Sequence, residues 1–335
     1  MRQRRAGWTR TRSPRGSSRA SGSLRPPAMP PLATPDTHDD ALALSTEALA
    51  RVRAIEIRAR RRAASMTAGS YRSIFRGAGI EFAEAREYVP GDDARRIDWN
   101  VTARMGTPWV KEYVEERELT VVCAVDASAS ALAARSERGR FEAAAEAVAL
   151  LGFSAAFNHD RAGLLLFDEQ VRSFVPPRRG VRHVTRLVGD VLRAQRLAPG
   201  RMTDISVAAD YLGRVLRRRS TVFLISDFIA SGYEESLRGL ARRHEVIAIT
   251  LVDPLDIALP DVGLVEVVDA ERGARVLLDS SNAGVREAYA LAAAERAAQR
   301  HRALGVAGVD EIEVRLDRDV TTPLVSYFRR RARSV

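Results

Sequence analysis

Thr120-Val121-Val122-Cys123-Ala124-Val125-Asp126-Ala127-Ser128-Ala129-Ser130 is the stretch whose reading decides the fold. The apolar run before Asp126, rich in β-branched valine, predicts a strand buried on both faces, as found inside a parallel sheet. Asp126 then stands at the carboxyl end of that strand, the edge at which open α/β sheets bind their ligands. Ser128 and Ser130, two residues apart in a turning loop, can aim both hydroxyls at one point beside Asp126. Such an all-oxygen cluster suits a hard divalent cation such as Mg²⁺. A buried strand followed by a serine-rich turn is the plainer alternative.

Working outward, the chain alternates strand and helix. Arg140 to Asn158 carries an apolar stripe (Phe141, Ala144, Ala145, Val148, Leu151) and predicts the first crossover helix. Strands are predicted at 162–167 and 171–175, the second stopped by Pro176-Pro177, and at 221–228, 246–252 and 311–315. Helices are predicted from His183, after Thr203, at 233–242, at 283–304 and from Pro323, with a hairpin around 264–278. His183 has no second histidine at ligand spacing and reads as an exposed or satisfied histidine. This order predicts an α/β fold with a doubly wound, mostly parallel sheet.

The Asp-x-Ser-x-Ser pattern resembles the metal-ion-dependent adhesion site of von Willebrand factor A domains. In that family a threonine from a second loop and an aspartate after another buried strand complete the site. Thr203, in Pro199-Gly200-Arg201-Met202-Thr203-Asp204, and Asp227, after Val222-Phe223-Leu224-Ile225-Ser226, occupy those places in order. The resemblance implies that Asp126, Ser128, Ser130, Thr203 and Asp227 hold Mg²⁺ (or Mn²⁺), with an open position for a partner's carboxylate. Neutral hydroxyls leave net positive charge on such an ion, which favours an incoming anion. Thr203 could equally cap the helix that follows it, with Asp204 as the alternative first-turn acid.

A second informative run comprises Gly79-Ile80-Glu81-Phe82, Arg86-Glu87-Tyr88-Val89-Pro90-Gly91-Asp92-Asp93, Arg95-Arg96-Ile97-Asp98-Trp99, Thr102-Ala103-Arg104 and Val110-Lys111-Glu112. Pro90-Gly91-Asp92-Asp93 is a turn by composition, with Asp92 or Asp93 opening a short helical piece toward Trp99. The dense alternation of charge predicts an ion-pair network that holds a small β-rich subdomain against the main domain, with Tyr88 and Trp99 as apolar anchors. Two other readings stay open: a docking face, and a hydrolytic cluster in which Asp92, Asp93 and Asp98 gather metal ions. The run closely resembles the signature of the DUF58 family, whose members carry a von Willebrand factor A-like domain behind it. That resemblance implies a non-enzymatic adaptor, working with a MoxR-type AAA+ ATPase and a client that supplies a carboxylate to the metal.

Composition sets the outer limits. The chain has 335 residues, 46% hydrophobic and 29% charged, enough for one large core and a smaller unit. Of the +10 formal charge, most lies in residues 1–28, which carry Arg2, Arg4, Arg5, Arg10, Arg12, Arg15, Arg19 and Arg25 without an acid. That segment predicts disorder. It reads as a functionless tail, a stretch upstream of a start at Met29, or a nucleic-acid, membrane or transit-like arm. A single cysteine excludes a disulfide framework. No apolar run predicts a membrane span or secretory leader, which gives a cytoplasmic expectation. Lys111 is the sole lysine and lies in no phosphate-binding glycine loop, so the chain is not expected to be an ATPase itself. The expected organisation is a tail over 1–40, a helix over 41–66, the signature subdomain over 67–118 and the von Willebrand factor A-like domain over 119–335.

Overall fold

The computed structural model describes residues 46–67, 81–114, 119–128, 139–195, 202–268 and 275–333. The basic tail, Ser130 and the Gly77–Ile80 stretch lie outside the described residues. The central strand, β3 (Thr120–Asp126), is buried along its length. It pairs in parallel with β4 (Arg161–Phe167) on one side and β6 (Thr221–Ser226) on the other. The sheet continues through β7 (Glu245–Val252) to β10 (Asp310–Arg315), again in parallel. At the far side β5 (Val171–Arg178) is the one antiparallel member of a six-stranded sheet ordered β10-β7-β6-β3-β4-β5. This is the doubly wound, mostly parallel architecture predicted from the alternation.

The two faces of the sheet sort the side chains of β3 by parity, as the pleat requires. Val121, Cys123 and Val125 enter one core cluster with helix α3 (Arg140–Phe157), α4 (Val181–Ala194) and α9 (Thr321–Arg333). Val122 and Ala124 enter the other with α5 (Ile205–Val215), α6 (Glu234–Ala241) and the end of α8 (Ala283–Ala307). Burial pushes the Cys123 thiol up to about 12, so it is a packing group and not a nucleophile.

Helix α3 is buried almost all round, which its alanine-rich sequence permits and which demands cover on the side away from the sheet. Helix α1 (Thr46–Thr67) supplies it through Ile55, Ala59 and Ala63, spaced by four residues on one face. Ile57 points outward at 54% exposure, because it falls out of register with the other three. The arginines toward the end of α1 clamp the helix. Arg58 meets Glu146 at 2.9 Å, Arg62 binds Asp319 and Thr321, and Arg60 lies over the Phe153 ring. On the neighbouring side, a Cβ at Gly152 would stand 2.7 Å from Val184, so only glycine lets α3 and α4 approach this closely.

Pro176-Pro177 does not stop β5, which runs through both to Arg178. Proline is tolerated there because β5 is an edge strand. The hairpin β8–β9 (Leu264–Val268, Arg275–Asp279) forms a separate two-stranded sheet. So do β1 (Glu81–Glu87) and β2 (Trp109–Val114), antiparallel in the signature region. No described helix is long and apolar enough to cross a membrane.

Candidate functional site

The strands β3, β4, β6 and β7 each run into an aspartate: Asp126, Asp168, Asp227 and Asp253, all buried. Four carboxylates at one sheet edge need partners, and three kinds of partner divide them. Asp253 caps α7 (Pro254–Ile257) by accepting from Leu255 N at 3.0 Å, with Asp256 returning the bond in a capping box. Asp168 accepts from Gln170 N at 2.9 Å and from Arg172 Nε at 2.5 Å. Its carbonyl accepts from Asp204 N at 3.2 Å, which ties the loop carrying Thr203 to β4.

Asp126 and Asp227 are handled differently. Asp126 Oδ1 accepts from Ser128 N at 2.9 Å, a tight turn that brings Ser128 back beside its own carboxylate. Thr203 Oγ1 lies 2.8 Å from Ser128 Oγ and 3.2 Å from Asp126 Oδ2. Ser226 Oγ donates to Asp126 Oδ2 at 2.6 Å and accepts from Phe228 N at 3.1 Å. Burial, and then the charge of Asp227, push the Asp126 carboxyl up to about 6, against the hydrogen bonds from Ser226 and Ser128. The helix-cap role open to Thr203 falls to Asp204, which accepts from Ser206 N at 2.9 Å and frees the threonine hydroxyl to face the crevice.

Asp227 Oδ1 accepts from Ile229 N at 3.1 Å, but its Oδ2 is buried and accepts no hydrogen bond among the described residues. The nearest cation is Arg140, at the start of α3, whose Nε stands 3.9 Å away. Arg140 is itself buried, and its Nη2 binds Asp256 Oδ2 at 2.5 Å. Phe228 follows with φ of 55°, a left-handed conformation rare for a bulky residue. Its ring is buried against Tyr233 at 6.0 Å, and that packing holds the strained turn below Asp227.

The structure therefore gathers Asp126, Ser128 and Thr203 through hydrogen bonds, with the Asp227 charge acting on Asp126; Ser130 lies outside the described residues. Among the described residues no three His, Cys, Asp or Glu side chains converge as a metal cluster. The gathered set is instead two carboxylates with neutral hydroxyls, a donor chemistry that fits a hard cation, and the bare Asp227 Oδ2 is a ready ligand atom. Ser226, Arg140 and Asp256 were not singled out from the sequence. Ser226 had a signal, a hydroxyl directly before a strand-end aspartate; the other two had none.

The signature residues form a second acidic locality with other geometry. Asp92 accepts from Arg86 Nη1 and Nη2, at 2.7 and 2.8 Å, and from the backbone N of Val89 at 2.9 Å, around Gly91 at φ 116°. Asp93 caps a 3₁₀ turn over Ala94–Arg96, which contains Arg96. Asp98 caps α2 (Trp99–Met105) by accepting from Asn100 N and Val101 N. Within that helix Thr102 Oγ1 accepts from Trp109 N at 3.0 Å, which fastens α2 to β2. Glu81, Phe82, Lys111 and Glu112 lie on the paired strands, with Glu84 opposite Glu112 and Ala85 opposite Lys111. Glu87 and Arg104 are exposed, Pro90 lies in the exposed turn, and Tyr88 is half-buried. Trp99, expected as an anchor, is 69% exposed: the Asp98 cap places it on the first turn of α2, facing solvent. The three aspartates are engaged in ion pairing and capping, which disfavours the hydrolytic cluster.

A mostly parallel, doubly wound sheet with an oxygen-lined crevice at its carboxyl edge defines the class of this protein. The family described as "Protein of unknown function DUF58" matches residues 84–316, and the chain belongs to that family. The matched span begins within β1 and ends just after β10. An uncharacterized protein of Mycobacterium bovis is 33% identical over 317 residues, covering 94% of this chain and 97% of that protein. A Mycobacterium tuberculosis relative gives the same values. Among solved structures, an aerotolerance-related membrane protein from Bacteroides fragilis aligns with TM-score 0.42 at 16% identity, over 65% of this chain and 100% of that one. The conserved hypothetical protein BatB from Bacteroides thetaiotaomicron aligns at 0.41 and 16%, over 64% and 99%. The fold assignment stands on the strand order itself.

Proposed function

We propose that this chain is a non-enzymatic, metal-dependent adaptor that recognises a protein partner through Asp126, Ser128, Ser130, Thr203 and Asp227. The observation that carries the reading is the position of Thr203. Its hydroxyl arrives from a remote loop to lie 2.8 Å from Ser128 Oγ and 3.2 Å from Asp126 Oδ2, while Asp227 Oδ2 stays buried and, among the described residues, without a hydrogen bond. Mg²⁺ (or Mn²⁺) held there supplies a Lewis-acidic point for a partner's carboxylate. Asp126 and Asp227 bring the negative charge, the hydroxyls bring neutral oxygens, and the sheet edge keeps them preorganised. The resemblance to DUF58 signatures makes a MoxR-type AAA+ ATPase the proposed machine, with the chain recruiting its client.

Calorimetric titration of Mg²⁺ into wild type, Asp126→Ala and Thr203→Val tests the site directly. Binding by wild type that Asp126→Ala abolishes supports the reading; equal heats in all three sink it. Pull-down with a purified MoxR-type ATPase, in Mg²⁺ and in chelator, then tests the partner separately.

A further inference from the structure

The loop that leaves Asp227 forms one wall of a groove of about 610 Å³ whose other wall is the second half of α8. Its apolar surface is incompletely covered: Ile229 is 60% exposed and Val306 62%. Its charge is one-sided. Glu234 is the acid of the lining, against Arg296, Arg300 and Arg302. Arg300 is occupied by Glu311 at 2.7 Å and Glu313 at 3.4 Å. Arg296 stacks over the Tyr289 ring at 5.9 Å, and neither it nor Arg302 has a carboxylate within 4.0 Å among the described residues. Cations with apolar surface between them match an anionic segment that also carries apolar side chains, and the mismatch would repel a basic one.

We infer that this groove docks an acidic, apolar-bearing peptide segment of the partner protein. The inference rests on the adaptor reading and extends it. Ile229 is two residues from Asp227, so a partner whose carboxylate reaches the crevice continues naturally into the groove. Metal then selects one carboxylate, and the groove selects the acidic segment beside it.

The test uses the full chain and two labelled probes, a short peptide of alternating leucine and glutamate and its leucine–lysine counterpart. Binding is read by fluorescence anisotropy in Mg²⁺ and in chelator. The acidic probe is expected to bind at least about ten-fold tighter than the basic one, and Arg296→Glu with Arg302→Glu to weaken it about ten-fold. Both positions are surface arginines on α8, and circular dichroism verifies that the variant is folded. Acidic-probe binding that survives chelator and Asp227→Asn but falls on charge reversal keeps the groove while removing the metal reading. Binding that needs metal and ignores charge reversal keeps the metal and overturns the groove. No binding, a preference for the basic probe, or self-association of the chain that Ile229→Asp abolishes also overturns it.

Discussion

The crevice at the carboxyl edge of the sheet and the β1–β2 signature region are both rich in aspartate, yet they spend their carboxylate oxygens differently. In the signature region Asp92, Asp93 and Asp98 answer to Arg86 and to backbone N–H groups, and their function there is shape. In the crevice Asp126 sits beside hydroxyls and a second acid, and Asp227 keeps a buried oxygen with no hydrogen bond among the described residues. Acid content does not mark a site; unanswered lone pairs held in place do.

The comparison is broken most easily at Arg140, the buried cation between Asp227 and Asp256. Arg140→Gln is expected to cost about 3 kcal/mol, because it takes the nearest cation from the buried Asp227 carboxylate while Asp256 stays partly solvated, read as a lowered urea midpoint of metal-free protein. An unchanged midpoint would mean that Asp227 does not depend on this guanidinium.

Next in size is Asp126→Asn. The folded carboxyl is pushed up to about 6 from an ordinary 3.8, so the native state holds its proton longer than the unfolded chain does. Stability from this group is therefore full at low pH and falls as pH rises from about 4 to about 6. The asparagine variant escapes that loss and should be about 2–3 kcal/mol more stable than wild type at pH 8 without metal, with the gap closing by pH 4. Thermal melts at both values measure it; a variant less stable at pH 8 would show that the hydrogen bonds outweigh the repulsion.

Thr203→Val should weaken Mg²⁺ binding by roughly ten-fold with little change in melting temperature, since it removes one neutral oxygen near the edge of the site. Calorimetry and a melt on the same sample separate affinity from folding. Smallest is the signature region: Asp98→Ala should cost about 1 kcal/mol as a lost cap, and Arg86→Ala up to about 1 kcal/mol as a partly exposed pair. Mg²⁺ affinity should stay unchanged in both, and a shift in it would erase the distinction between the two acidic regions.

The sheet was legible because its strands announce themselves one at a time: β3, β6 and β7 are apolar runs of strand length, each followed by an acid. Asp126 and Ser128 were read from the strand end itself, Thr203 and Asp227 through the resemblance, and the structure brings the hydroxyls of Ser128 and Thr203 to Asp126. Arg140 and Asp256 were hidden because their roles depend on lateral order. Arg140 bridges Asp227 and Asp256 only once β6 lies beside β7, and strand order leaves no local trace in sequence. Ser226, by contrast, announced itself before Asp227 but shows its bond to Asp126 only once β6 lies beside β3. Trp99 misled because an aromatic among charges suggests an anchor, whereas the cap at Asp98 decides which way the first turn of α2 faces. Pro176-Pro177 misled because a proline pair ends a central strand but not an edge strand.

The docking of α1 has a polymer-physics consequence. Because α1 is fixed to α3 and α9, the signature region is bounded in sequence by two elements of the same body, Thr67 before it and Leu119 after it. It is a closed loop in the chain, not a pendant. The link from Val114 to Leu119 can extend no more than ~18 Å even if fully stretched. The signature strands are therefore held within that reach of the amino end of β3, the end opposite Asp126, and cannot drift from the sheet as a pendant module would.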